Sequence, residues 1–269
     1  MAIGKESLEK IFDVNVSRWR TSISWIEEDF IVTRGYFQED LIGNVSFADV
    51  VFLLLRGDLP SRDESRMLDA ILVSFCDHGV TPPSTQIARL AASTGSPLHA
   101  SAAAGLLAFG REHAGAIQDC MKLLQEAVKD NGEVSQLARE IVNDYLERDE
   151  KIPGFGHRYH SRDPRAARIL ELARKYKCMG RHAQLALEIE KVLNRLKNIN
   201  MNIDGANAAI LSDLGFHWEI GTGMFMIGRL PGLIAHINEE KREEKPFRKT
   251  LNLGDIEYHG KKPDRIMKG

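Results

Sequence analysis

The sequence predicts an all-α protein. Apolar residues recur at three- and four-residue spacings in segment after segment, Ser, Pro and Gly stand where such segments start and stop, and alternating apolar and polar runs are nearly absent. The run SPLHASAAAGLLAFG from Ser96 is small and apolar nearly all round, as a helix buried mid-molecule or at a subunit interface must be.

Residues 1–45 are the least regular, and a short helix followed by extended or hairpin structure is expected there, with FIVTRGY (Phe30 to Tyr36) as the β-like patch. Ser46 caps the helix FADVVFLLLRG, which Gly57 and Pro60 end, and Ser61 caps the next, which Gly79 stops with His78 at its C-terminus. Pro82 and Pro83 break the chain, and Ser84 restarts a helix to about Ser93. Helical spacing resumes from Glu112 and closes at Asn131-Gly132, and Glu133 to Asp149 forms an amphipathic helix with a mainly acidic polar face. IPGFGHRYHSRDPRAARILELARK (Ile152 to Lys175) is a glycine-bent loop leading into a helix from Arg165 to Tyr176. A charged helix from Ala183 to Lys197 follows, then a non-helical entry, INMNIDG, into the small-residue helix ANAAILSDLGF. Gly221 to Asn238 forms a last, strongly apolar helix bearing Arg229, and the charged residues 239–269 wrap a surface. A dozen or more helices with almost no sheet result.

The chain has 269 residues, of which 43% are hydrophobic, enough for a substantial core. A formal charge of −2 implies neither a general nucleic-acid surface nor an acidic tail. Cys76, Cys120 and Cys178 are odd in number and lie in no metal-binding spacing, which favours reduced thiols and a cytoplasmic protein. The N-terminus has no apolar core of a signal peptide, and the longest apolar run, Val50 to Leu55, is too short for a bilayer, so neither secretion nor membrane spanning is expected.

Four positions combine a helix break with a catalytic type of side chain: His78 in CDHG, His113 in GREHAGA, His157 in GFGHR and Asp204 in NIDG. There the backbone comes close to a ligand and a helix end tunes a pKa. Taken alone, His78 and His113 read equally well as structural histidines, and Asp204 reads first as the N-cap of the helix after it. His157 differs, because its loop also carries Arg158, Arg162 and Arg165, a set suited to gripping a carboxylate or phosphate. Nothing supports a zinc site, a dinucleotide or P-loop fold, or a Ser or Cys nucleophile, which leaves imidazole and carboxylate chemistry with no metal.

In order, these motifs resemble the citrate synthase superfamily from Val32 onward: TRGYFQEDLIGNVSFADVVFLLLRGDLPS, then CDHG and the HAGA turn, then PGFGHRYHSRDPRA, then NIDG and GRLPGLIAHINE. The short length, the compact start at IEEDFIVTRG, Gly79 after the DH pair and Ile117 after HAGA resemble the citryl-CoA lyase module at the C-terminal end of ATP-citrate lyases. The resemblance implies a large helical domain (1–115 and 222–269), a smaller one (116–221) and a site in the cleft. It implies that His113 holds the thioester oxygen of acetyl-CoA, Asp204 moves the methyl proton and His157 serves the keto or hydroxyl oxygen. His78, Arg165, Arg229 and Arg248 would clamp the dicarboxylate, Arg248 from a neighbouring subunit, and Arg158 would sit near CoA. Citryl-CoA lyase is the leading expectation, with citrate or 2-methylcitrate synthase, which adds thioester hydrolysis, as the alternative. A paralogue that only binds CoA or a dicarboxylate is a third. A homodimer or higher homo-oligomer is expected, with no tightly bound cofactor, CoA as part of the substrate, and no nucleic-acid or membrane partner.

Overall fold

The computed structural model describes residues 19–156 and 163–264; the short helix expected near the N-terminus lies mostly, and His157 and Arg158 wholly, outside the described residues. Eleven α-helices and three short strands occur among those described, in agreement with the all-α expectation. The chain divides into two compact units, Met1–Leu68 and Asp69–Gly269.

In the first unit, β1 (Ser24–Ile26), β2 (Ile31–Thr33) and β3 (Tyr36–Phe37) form an antiparallel sheet in sequence order, with Trp25 opposite Val32 and Val32 opposite Phe37. The expected hairpin thus gains a third strand. Trp25, Phe30 and Phe37 meet edge to face, with ring centroids 4.9 and 5.8 Å apart. Helices α1 (Gln38–Leu41), α2 (Phe47–Arg56) and α3 (Arg62–Phe75) follow, and α3 continues into the second unit. Both predicted serine caps form. Ser46 Oγ accepts from Asp49 N at 3.2 Å while Asp49 Oδ2 accepts from Ser46 N at 2.8 Å, and Ser61 and Glu64 repeat the exchange at 3.4 and 2.8 Å. Each reciprocal cap stabilises its helix by about 1 kcal/mol.

The second unit continues with α4 (Pro83–Ser93), α5 (Leu98–Leu107), α6 (Ala116–Ala127), α7 (Val134–Glu147), α8 (Pro164–Lys175), α9 (Arg181–Lys197), α10 (Ile203–Asp213) and α11 (Gly221–Glu243). Helices α4, α5 and α11 pack together around Ala88, Ala92, Ala102, Leu233 and Ile237. Small residues set this spacing: a Cβ on Gly105 of α5 would stand 2.9 Å from the Ser84 carbonyl oxygen of α4. In the other group, α6, α8 and α9 surround α10, and every residue from Gly205 to Ser212 is buried. The buried Asn207 is held by its Nδ2 donating to Ser74 Oγ at 2.8 Å.

Several boundaries differ from the sequence expectation. Helix α3 ends at Phe75 rather than reaching Gly79, because Asp77 Oδ2 takes the Gly79 N–H at 3.1 Å and Gly79 turns the chain at φ 69°; His78 therefore sits in a turn beyond the helix. Helix α6 starts at Ala116, not Glu112, because Gly110 and His113 exchange backbone hydrogen bonds of 2.8 and 3.0 Å and Ala114 is left-handed. Helix α11 runs past Asn238 to Glu243. Together with the 3-10 turn Trp218–Ile220 before it, it is long and apolar enough by composition to cross a membrane. Its packing on α4, α5 and α6 and its buried Arg229 and Glu240 are those of a core helix. Beyond it the chain runs largely exposed, pinned where Phe247 N donates to Ser93 O at 2.7 Å and Arg248 N to Ser93 Oγ at 3.2 Å.

Candidate active site

Two glycine-bearing segments meet at the N-terminus of α10. A Cβ on Gly154, which adopts φ 85°, would lie 2.6 Å from Gly205 Cα and 2.8 Å from Cys120 Sγ, so only glycine lets the PGFG loop touch the helix. Backbone bonds stitch the two: Asn202 N donates to Gly154 O at 3.0 Å and Gly156 N to Asn200 O at 2.8 Å. Asn202 completes the join, its Nδ2 donating to Gly156 O at 2.7 Å while its Oδ1 accepts from Asp204 N and Gly205 N at 2.9 and 3.1 Å. Asn202 is therefore the N-cap, and the reading of Asp204 as the cap is corrected: with the orphan amides already satisfied, the Asp204 carboxylate is released for other work.

That carboxylate is poised. Among the described residues no group donates to Asp204 Oδ1, which is buried although the residue as a whole is only half-buried. Burial lifts the Asp204 carboxyl to about 6, against the pull of the Arg165 and Arg229 guanidiniums and with help from the Asp163 carboxylate. Arg229 lies on α11 with its Nε donating to Phe75 O at 2.6 Å and its guanidinium carbon 4.9 Å from the centre of the Phe225 ring. Its Nη1 is buried and finds no acceptor among the described residues. Arg165 forks onto Asp163 through Nε to Oδ1 at 3.1 Å and Nη2 to Oδ2 at 2.9 Å. Burial and the same two arginines hold the His78 imidazole below its ordinary pKa, which favours the neutral ring.

His113 also approaches Phe225, edge to face, with ring centroids 6.4 Å apart. Its turn, closed by the Gly110 and His113 bridge, sets the imidazole Nε2 2.8 Å from the buried hydroxyl of Ser84. Ser84 lies one residue inside α4, whose N-cap is Pro82, so the expectation that Ser84 starts this helix is corrected: its hydroxyl serves the histidine. A cavity of about 570 Å³ opens beside this turn between Phe109, Arg111, Gln118 and Thr222. A second, of about 450 Å³, flanks the PGFG loop along Tyr145, Lys151, Phe155 and Lys197.

Of the residues singled out from sequence, His78, Arg165, Arg229 and Asp204 share one electrostatic neighbourhood, and Phe225 links His113 to Arg229. Arg248 stands apart within this chain, its Nε and Nη2 donating to Glu240 at 2.7 and 2.8 Å. Two residues escaped the sequence reading. Asp163 was legible as an Asp-Pro helix start, and Ser84 was seen only as a cap. Among the described residues no three His, Cys, Asp or Glu side chains gather as a metal site would require.

Residues 60–250 match the family described as citrate synthase, C-terminal domain. The chain belongs to the citrate synthase family. It is 31% identical over 191 residues to citrate synthase 2 of Bacillus subtilis (strain 168), covering 69% of this chain and 50% of that one. The chain spans about half the length of the curated relatives it matches. The solved citryl-CoA lyase of Hydrogenobacter thermophilus superposes with a TM-score of 0.86 at 44% identity, over 93% of this chain and 97% of that one. ATP citrate lyase of Methanothrix soehngenii, solved with citrate and coenzyme A, shares the fold with a TM-score of 0.79 at 21% identity, over 97% of this chain and 45% of that one.

Proposed function

We propose that the protein is a citryl-CoA lyase, cleaving citryl-CoA to acetyl-CoA and oxaloacetate by a retro-Claisen step. The observation that carries this reading is the Asp204 carboxyl: raised to about 6, with a buried oxygen that has no partner among the described residues, and under the influence of two guanidiniums that also act on the His78 imidazole. Such a group both takes and returns a proton near neutral pH, which carbon–carbon cleavage next to a thioester requires. The match to a citryl-CoA lyase over nearly the whole of both chains favours the same reading.

In the proposed sequence, His157 takes the proton of the tertiary hydroxyl. The bond to the thioester-bearing methylene then breaks, its electron pair passes into a thioester enolate and the hydroxyl carbon becomes the keto carbon of oxaloacetate. His113, fixed by Ser84, donates to the enolate oxygen, and Asp204 delivers a proton to the methylene, giving acetyl-CoA. His78, Arg165 and Arg229 hold the dicarboxylate, Arg248 contributes from a second copy of the chain, and Arg158 meets CoA. Coenzyme A enters only as part of substrate and product, with no tightly bound cofactor. The division into a large part (1–115 and 222–269) and a small part (116–221) is supported by the mutual packing of α4, α5 and α11 and by that of α6 to α10, with α11 also reaching α6. A homodimer or higher homo-oligomer in the cytoplasm, with no nucleic-acid or membrane partner, completes the reading.

The likeness to citrate synthase 2 of Bacillus subtilis favours citrate or 2-methylcitrate synthase as a second reading. The test is product analysis with citryl-CoA, and separately with acetyl-CoA plus oxaloacetate while free thiol is followed. Acetyl-CoA and oxaloacetate from citryl-CoA, without steady CoA release from the second mixture, is the expected result. Robust CoA release would replace the lyase with the synthase, and no turnover of either would leave a binding protein.

A further inference from the structure

The Arg165 guanidinium, a third exposed, acts electrostatically on the Asp204 carboxylate, yet the two are not joined by a hydrogen bond among the described residues. The geometry that brings them near is a shared carboxylate, because Asp163 Oδ2 bridges Arg165 Nη2 and the backbone N–H of Ile203, the residue before Asp204; opposite charges within reach of each other favour a forked pair. Asp163 accounts for the separation. Its side chain is 1% exposed and both its oxygens are used twice: Oδ1 accepts from Arg165 N at 3.0 Å and Arg165 Nε at 3.1 Å, and Oδ2 accepts from Arg165 Nη2 at 2.9 Å and Ile203 N at 3.1 Å. Ile203 is the first residue of α10 and the neighbour of Asp204. One carboxylate thus caps α8, occupies the fork of Arg165 and fixes the start of the helix that carries Asp204.

We infer that Asp163 is a positioning residue that keeps the Arg165 guanidinium off Asp204, leaving Asp204 free to move a proton while Arg165 remains available to a substrate carboxylate. The other groups around Asp204 do not perform this task. Arg229 approaches from α11 with its Nε committed to Phe75 O, and Cys120 on α6 is kept a neutral thiol by burial. Glu190 on α9 is turned to the Met201 N–H at 2.8 Å. Burial pushes Asp163 itself up, but its hydrogen bonds with Arg165 and the guanidinium charge outweigh this and keep it ionised.

The catalytic meaning of this device rests on the lyase reading, but its test does not. The titration of Asp204 is followed in the full-length protein by ¹³C NMR of side-chain carboxyls, the resonance being assigned by its loss in Asp204→Asn. Asp163→Asn retains a capping side chain at the start of α8, frees the fork of Arg165 and is expected to lower the Asp204 midpoint by about one pH unit, tenfold in the ionisation constant. In an Arg165→Gln background the same substitution is expected to shift the midpoint far less, because the effect runs through the guanidinium. Asp163→Glu, which keeps the charge but displaces the fork, is expected to lower the midpoint in the same direction. An unmoved midpoint in Asp163→Asn, or an equal shift with and without Arg165, would overturn the inference. The midpoints alone decide the role of Asp163, and citryl-CoA turnover by the unaltered protein alone decides the lyase reading.

Discussion

Two carboxylates in the second unit each lie near two arginines, and they meet opposite fates. Glu240, near the end of α11, accepts Arg248 Nε on Oε1 at 2.7 Å and both Arg89 Nε and Arg248 Nη2 on Oε2 at 2.7 and 2.8 Å, so its acidity is strengthened. Asp204, at the start of α10, keeps one oxygen without a partner among the described residues, and burial lifts its carboxyl to about 6. Burial raises Asp204 whereas hydrogen bonds from arginine dominate at Glu240, and the arginines spend their donors differently in the two places. Around Glu240 they converge on one acceptor and pin the C-terminal segment to α4 and α11; around Asp204 one is taken by Asp163 and the other by a backbone carbonyl. A saturated cluster anchors a fold, whereas a cluster held short of saturation by its own scaffold is a site awaiting a ligand.

The sharpest way to test that contrast is Asp204→Asn. Turnover of citryl-CoA should fall on the order of a thousandfold, the scale of a lost general acid and base. Stability should move the other way. The folded-state pKa lies above the ordinary 3.8, so ionisation of Asp204 destabilises the fold as pH rises through about 6. The variant should therefore be more stable than the parent at pH 7 by about 2 kcal/mol, less than the full shift implies because the residue is only half-buried, and the gap should close as pH falls toward 4. Urea unfolding across that range reads it, and a pH-independent gap would remove Asp204 from the comparison.

Gly154→Ala drives a Cβ into Gly205 Cα from a left-handed backbone, and a loss of about 3 kcal/mol in urea unfolding together with reduced turnover is expected. Glu240→Gln should cost about 2 kcal/mol, moderated because Arg248 is a third exposed, while leaving the Asp204 titration in place. A shift in that titration would mean that the two clusters are coupled. The smallest effect is expected for Ser84→Ala, about tenfold in turnover through a loosened His113, with stability within about 1 kcal/mol of the parent.

Much of the scaffold was legible because its signals are local. Ser46 and Ser61 cap their helices through partners three residues away, and the same chemistry operates wherever that spacing recurs. The local signal misled where a side chain had a distant partner. Ser84 has the look of a cap but bonds a histidine 29 residues on, and Asp204 has the look of a cap although Asn202, two residues earlier, holds that place. Glu112 has helical spacing around it, yet the turn between Gly110 and His113 claims the backbone first.

By itself the sequence determined the all-α class, the small-residue helices that let α4, α5 and α11 approach, and the histidines and carboxylate set beside glycines, since each depends on residues within a turn or two of one another. Only the tertiary structure decided which charges neutralise which. Arg229 reaches Phe75 across 154 positions and Arg89 reaches Glu240 across 151, and no local pattern encodes pairings at that range. The ionisation of Asp204 belongs to that second class: its pKa is set by burial and by the charges of Arg165, Arg229 and Asp163, and these come together only once α8, α10 and α11 are packed.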